Sequence, residues 1–168
     1  MTPLPGPLGA TEVMAWRIDL AVHAAGWDSG EGAFRQGGRW NGKRIRTVYC
    51  SLDPATAILE VAVHKGFGAL DISPHVLTSM RIIDPATVRI VHPEEVPNPN
   101  WLVPGIPSAG QQRFGDDLLA AHPFVVLPST VSRHSWNLIF DPGRTHGAYS
   151  MVQQERFALD GRLHRAAS

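Results

Sequence analysis

Val48-Tyr49-Cys50-Ser51-Leu52-Asp53-Pro54-Ala55-Thr56-Ala57-Ile58-Leu59-Glu60-Val61-Ala62-Val63-His64-Lys65-Gly66 carries the most legible structure in this chain. Its opening, with Arg46 and Thr47 before it, is β-branched and aromatic and reads as a strand over 46–51. Asp53 can then accept free amide N–H groups, and Pro54 stands where its missing N–H is harmless. A helix over Ala55–Lys65 follows, and Gly66 ends it as a C′ residue.

Outward from this unit, strand signals recur at Val13–Ile18, His75–Ile83, Val88–His92, Phe124–Leu127, Asn137–Phe140 and Met151–Leu159. A second helix is predicted over Ser108–His122, weakened by Gly110 and Gly115. Gly26 to Gly42 holds six glycines interleaved with aromatics and arginines and reads as one long loop. Pro93 to Pro107 holds five prolines, too many for regular structure. Strands and helices do not alternate strictly, so the fold class is α+β. Residues 1–12 read as a flexible Pro/Gly-rich arm, and residues 13–168 as a single domain.

The 168 residues are 43% hydrophobic and 18% charged, a globular rather than disordered balance. Fifteen basic residues offset fifteen acidic ones, leaving no field to draw in a nucleic acid or an anionic membrane. Thirteen of the fifteen cations are arginine, whose forked donors suit carboxylates and phosphates. Biased codon usage would produce the same count. One cysteine, Cys50, cannot close an internal disulfide and fits a reducing compartment. With no leader-like start and no apolar run of membrane-spanning length, a soluble cytoplasmic protein is expected.

Common catalytic motifs fail. The eight histidines show no zinc-binding spacing, and there is no cysteine pair; only a ligand set gathered from distant residues would hold a metal. Gly30-Glu31-Gly32-Ala33-Phe34-Arg35 has arginine where a dinucleotide loop needs its third glycine. Gly42-Lys43-Arg44 lacks the hydroxyl residue of a P-loop, and Ser129 is not in a Gly-x-Ser-x-Gly elbow.

Glu60 is the anomaly. It interrupts the most apolar stretch of the best helix, and a buried carboxylate is unfavourable without a partner. Two readings are open: a narrow solvent stripe with Thr56 and His64, or a cleft in which Glu60 meets a cation or hydroxyl. Arg39 lies between Gly37-Gly38 and Trp40-Asn41-Gly42, where backbone can approach a ligand, or it is an ordinary loop arginine. Tyr49 is core or site, and Ser129 is a turn residue or part of a site.

Taken in order, Gly38-Arg39-Trp40-Asn41, Val48-Tyr49-Cys50-Ser51, the Pro-x-x-Ala-x-x-Glu helix to Glu60, Val126-Leu127-Pro128-Ser129 and Asn137-Leu138-Ile139-Phe140-Asp141-Pro142 resemble the RES-domain family. That family is named for an arginine, a glutamate and a serine, here Arg39, Glu60 and Ser129. Trp16-Arg17-Ile18 and Phe157-Ala158-Leu159-Asp160 extend the resemblance over about residues 14–163. Phe140-Asp141-Pro142 departs from an Asn-Pro ending, and the Pro-rich segment matches no family pattern.

The resemblance implies a single domain with a fold like that of ADP-ribosyltransferases, its β core mixed and largely antiparallel, and a toxin that destroys NAD. It further implies an Xre-family helix-turn-helix antitoxin that covers the active site. No metal or cofactor is implied beyond NAD itself, with water or inorganic phosphate as acceptor; protein ADP-ribosylation and an inactive binding module are the alternatives. On this footing Glu60 stabilises positive charge developing at the ribose or holds the ribose hydroxyls, Arg17 and Arg39 grip the pyrophosphate, and Tyr49 stacks on or fixes the nicotinamide end. Ser129 positions the ribose or the acceptor, and Trp40, Asn41 and Asn137 complete the NAD contacts.

Overall fold

Asp53 starts the central helix by accepting two hydrogen bonds from Thr56. Asp53 Oδ1 accepts from the Thr56 amide at 2.8 Å, and the Thr56 hydroxyl donates to Asp53 Oδ2 at 2.6 Å. The helix (α2, Pro54–Lys65) closes where the Gly66 amide donates to the Ala62 carbonyl. The computed structural model describes residues 12–163, so the expected arm over residues 1–12 lies, Glu12 apart, outside the described residues.

Seven strands form one sheet: β1 (Val13–Leu20), β2 (Val48–Ser51), β3 (His75–Ile82), β4 (Val88–Ile90), β5 (Phe124–Pro128), β6 (Trp136–Phe140) and β7 (Tyr149–Phe157). Their order is β4-β5-β6-β2-β1-β3-β7. Only the β4–β5 pair is parallel. The expected α+β domain with a mixed, largely antiparallel sheet is therefore what forms. Four strands separate β5 from β7 in this order, yet the Tyr149 ring lies 6.3 Å from Phe124 and 4.9 Å from Phe140. The sheet is thus curled around an apolar interior of Val13, Ala15, Val48, Met80, Phe124, Leu138 and Phe140.

On the outer face, α2 packs Ala57, Ile58 and Val61 against Trp16, Ile18 and Leu77. The helix α4 (Ala109–Ala121), capped by the Ser108 hydroxyl on the Gln111 amide, covers Val125, Leu127 and Ile139 through Leu119. Gly115 is essential to this packing, because a Cβ there would stand 1.8 Å from the Trp40 carbonyl oxygen.

Two helices were not legible in the sequence. The stretch expected to be one long loop contains α1 (Glu31–Gln36), where Glu31 pairs with Arg35 at 2.8 Å and also with Arg46. The Arg46 guanidinium lies 4.6 Å from the Phe34 ring centre. The contacts of Arg46 come from ten positions downstream of the helix and so escape a reading by composition. The short α3 (Phe67–Ile72) is held by burial of Leu70. Strand β7 begins and ends two residues earlier than expected. Among the described residues, no helix is long and apolar enough to cross a membrane. Nor does any group of three or more His, Cys, Asp or Glu among them form a potential metal site.

Candidate active site

Glu60 turns inward from α2. Its Oε1 accepts from the Ser129 hydroxyl at 2.9 Å and from Asn137 Nδ2 at 2.6 Å. Oε2 receives no hydrogen bond among the described residues. The solvent-stripe reading fails because Thr56 is buried against its cap partner and Glu60 is half-buried. Among the residues that face outward are two large apolar ones, Leu59 and Val63, the latter 63% exposed.

Ser129 follows β5 and is fully buried. Its oxygen accepts from the amides of Val131 (3.2 Å) and Ser132 (3.1 Å), which leaves its proton for Glu60. A serine so saturated holds the carboxylate, its hydrogen bonds among the described residues going to Glu60 and to its own turn. Asn137 is likewise occupied: its Oδ1 accepts from the Ser51 hydroxyl at 2.9 Å while Nδ2 serves Glu60. Ser51 and Asn137 are direct register partners on β2 and β6.

Tyr49 and the glycine-rich loop interlock. The phenol donates to Asn41 Oδ1 at 2.6 Å and accepts from the Trp40 amide at 3.1 Å. Burial pushes its pKa above the ordinary phenol value, and the Trp40 N–H opposes that rise. Gly38 sits so close that a Cβ would come 2.5 Å from the phenol oxygen. Gly42 donates its amide to Asp116 at 3.0 Å, and burial raises the Asp116 carboxyl despite that bond.

Arg39, half-buried, is held at this loop by a 3.2 Å bond from Nη1 to the Trp101 carbonyl. Trp101 belongs to the Pro-rich segment, so the stretch without a family pattern forms a wall beside Arg39. Its ring packs against Trp40, 6.4 Å between centroids.

Three residues expected to contact NAD have other surroundings in this structure. Trp40 is 2% exposed and packs within the core beneath α4. Asn41 is fully buried and satisfied by the chain, its Nδ2 lying among the carbonyls of Ala33, Gly42 and Ile45. Both shape the loop from behind. Arg17 is on the wrong face: side chains alternate along β1, Trp16 and Ile18 packing under α2 while Val13 and Ala15 point inside the curl. Arg17 shares the latter side, paired with Asp19 at 2.8 Å and donating to the Tyr49 carbonyl. The structure therefore gathers Glu60, Ser129 and Asn137 directly, and sets Tyr49 and Arg39 on the same face. Ser51 and Trp101 were missed as members; only strand register and the course of the Pro-rich segment bring them in.

A family model described as RES domain matches residues 14–160. The chain is 31% identical over 158 residues to "Toxin Res" of Pseudomonas putida, covering 90% of this chain and 99% of that protein. It is 29% identical to a "Prs ADP-ribosylating toxin" of a Sphingobium species, covering 90% and 97%. Among solved structures, the M. tuberculosis MbcT–MbcA toxin–antitoxin complex contains a chain similar at TM-score 0.70 and 18% identity, covering 88% of this chain and 85% of that one. That likeness is one of fold.

Proposed function

The chain belongs to the RES domain family, and from that premise we propose that it is the toxin of a toxin–antitoxin pair, depleting cellular NAD by cleaving its nicotinamide–ribose bond. One observation carries the reading: a half-buried carboxylate is fixed through one oxygen by Ser129 and Asn137 while its other oxygen stays unbonded among the described residues. A carboxylate held this way answers positive charge without reorganising.

In this reaction the C1–nitrogen bond of the ribose breaks and its electron pair leaves with neutral nicotinamide. Positive charge passes to the ribose, and an acceptor oxygen then bonds to C1 and loses its proton. At about 4 Å and an effective dielectric near 20, the Glu60 charge is worth roughly 4 kcal/mol to that state. Realised only in the transition state, this is about three decades of rate. Arg39, with one hydrogen bond to the chain among the described residues, keeps further donors for the pyrophosphate. Arg17 is left out of the grip, because it faces the other side of the sheet. Tyr49 acts by fixing the loop that carries Arg39. No metal or further cofactor is required; water or inorganic phosphate serves as acceptor.

A second reading, transfer of ADP-ribose to a protein, draws on the name of the Sphingobium relative. The partner proposed is an Xre-family antitoxin covering this face, and the setting is the cytoplasm, where NAD is available. The test is NAD consumption by purified protein freed of antitoxin. Free nicotinamide with plain ADP-ribose marks hydrolysis. ADP-ribose bearing phosphate on its anomeric carbon, formed only when phosphate is added, marks phosphorolysis. Folded protein without NAD turnover overturns the NAD-depletion reading, and labelling of a protein target would then favour the second.

A further inference from the structure

Three neighbouring strands converge on one carboxylate. Ser51 at the end of β2, Asn137 on β6 and Ser129 just after β5 form a continuous chain of hydrogen bonds, with Glu60 between the last two. Ser51 is 2% exposed, and its hydroxyl has one side-chain partner among the described residues, Asn137 Oδ1 at 2.9 Å. We infer that Ser51 is a positioning residue for the reaction proposed above, acting through Asn137 to hold Glu60 in place.

Hydrogen-bond satisfaction at the Asn137 amide sets the position of Glu60. An asparagine amide rotates readily about its last torsion, so a bond at one end does not fix its plane. Bonds at both ends do. Nδ2 must face Glu60, because a carboxylate only accepts; Oδ1 is then turned to the buried interior, where it needs a donor. Ser51 supplies that donor from directly across the strand pair. Donation to Oδ1 also polarises the amide and strengthens the Nδ2 bond to Glu60. Without the hydroxyl, Oδ1 is buried and unpaired, and the amide rotates off the carboxylate in search of a partner. Glu60 is then held by Ser129 alone, free to swing Oε2 away from the reacting carbon. Ser51 touches no substrate in this account, so its loss should lower kcat and leave KM nearly unchanged.

The experiment is a double-mutant cycle of Ser51→Ala and Asn137→Ala on NAD cleavage, each variant checked for folding by thermal melting. Ser51→Ala is expected to lower kcat about tenfold, with KM for NAD within about twofold. The double variant should be no slower than Asn137→Ala alone, because Ser51 acts only through that amide. Losses that multiply, or a Ser51→Ala enzyme as fast as wild type, overturn the inference. A second readout does not depend on activity. The Asn137 side-chain amide proton bonded to Glu60 should resonate downfield by NMR and move upfield in both Ser51→Ala and Glu60→Gln. A resonance unmoved by Ser51→Ala also overturns it. Absence of NAD cleavage in wild type would defeat the proposed reaction, while the NMR arm still decides whether Ser51 holds the amide.

Discussion

The Ser129 hydroxyl donates to Glu60 Oε1 at 2.9 Å across 69 residues of chain, and two backbone amides fill its own acceptor sites. The direction of that bond follows from the amides: with its lone pairs taken, the oxygen can only send its proton to the carboxylate. The serine is therefore a fixture for Glu60, whose Oε2 is left unbonded among the described residues.

Glu60→Gln should keep the fold and lose the chemistry. A glutamine carbonyl can still accept from Ser129 and Asn137, but the charge is gone. NAD cleavage is expected to fall about a thousandfold, near 4 kcal/mol, with the thermal melt little changed. Wild-type turnover in this variant removes Glu60 from the reaction.

Ser129→Ala should damage both stability and rate. The amides of Val131 and Ser132 lose their acceptor, at a cost of about 1–3 kcal/mol, readable by urea unfolding. Glu60 loses a donor, and kcat should drop by about tenfold or more. Mass spectrometry of wild-type protein during turnover should find no ADP-ribose on Ser129; a covalent adduct there would sink the fixture role.

Arg39→Lys separates charge from geometry. Lysine keeps the cation but not the planar fork that grips a pyrophosphate. Loss of a charge-assisted hydrogen bond is worth about 1.5–3 kcal/mol, roughly 10- to 100-fold in kcat/KM, and the rise should fall mainly on KM. Full activity with lysine would make Arg39 a simple point charge.

Gly115→Ala tests the seat of the loop that carries Arg39. The added methyl meets the Trp40 carbonyl at 1.8 Å, and overpacking of this kind costs about 1–3 kcal/mol. Chemical denaturation should show that loss, with NAD binding weakened as residues 37–42 shift. A variant as stable as wild type would mean that α4 slides freely over Trp40.

Cys50 gives the pH prediction. Burial pushes its thiol up to about 12, with the nearby Arg17 charge opposing. In the unfolded chain the thiol ionises near the ordinary value of about 8.5. A group whose folded pKa is raised contributes nothing against the fold below the unfolded value. Above it the unfolded state sheds a proton that the folded state retains, so stability falls as pH rises from about 8.5 toward the folded value. Native protein should resist iodoacetamide at pH 8, and Cys50→Ala should flatten the alkaline fall in unfolding free energy. Rapid labelling of native protein would contradict the burial.

Much of this was written locally. Asp53-Pro54 and Gly66 bound α2 because capping needs only residues within one turn, and the runs at Phe124 and Asn137 are strands because they are apolar and short. The order of motifs also singled out Glu60 and Ser129. What failed to read were contacts made at a distance. Trp40, Asn41 and Tyr49 look like a ligand platform in one dimension, yet they are each other's partners.

The sequence by itself determined the strands, α4, α2 with its caps and the presence of a misplaced carboxylate, since these depend on periodicity and on hydrogen bonds a few residues long. It could not determine which way α2 rolls. Leu59 and Val63 are as apolar as Ala57 and Val61, so hydrophobic pattern gives no preferred face. The sheet order β5-β6-β2 decided that, by setting Ser129, Asn137 and Ser51 side by side beneath the helix. It also put Arg17 inside the curl, one residue's alternation away from the face it was expected to serve. Register between distant strands fixes both outcomes, because each step along a strand reverses the side from which its side chain acts.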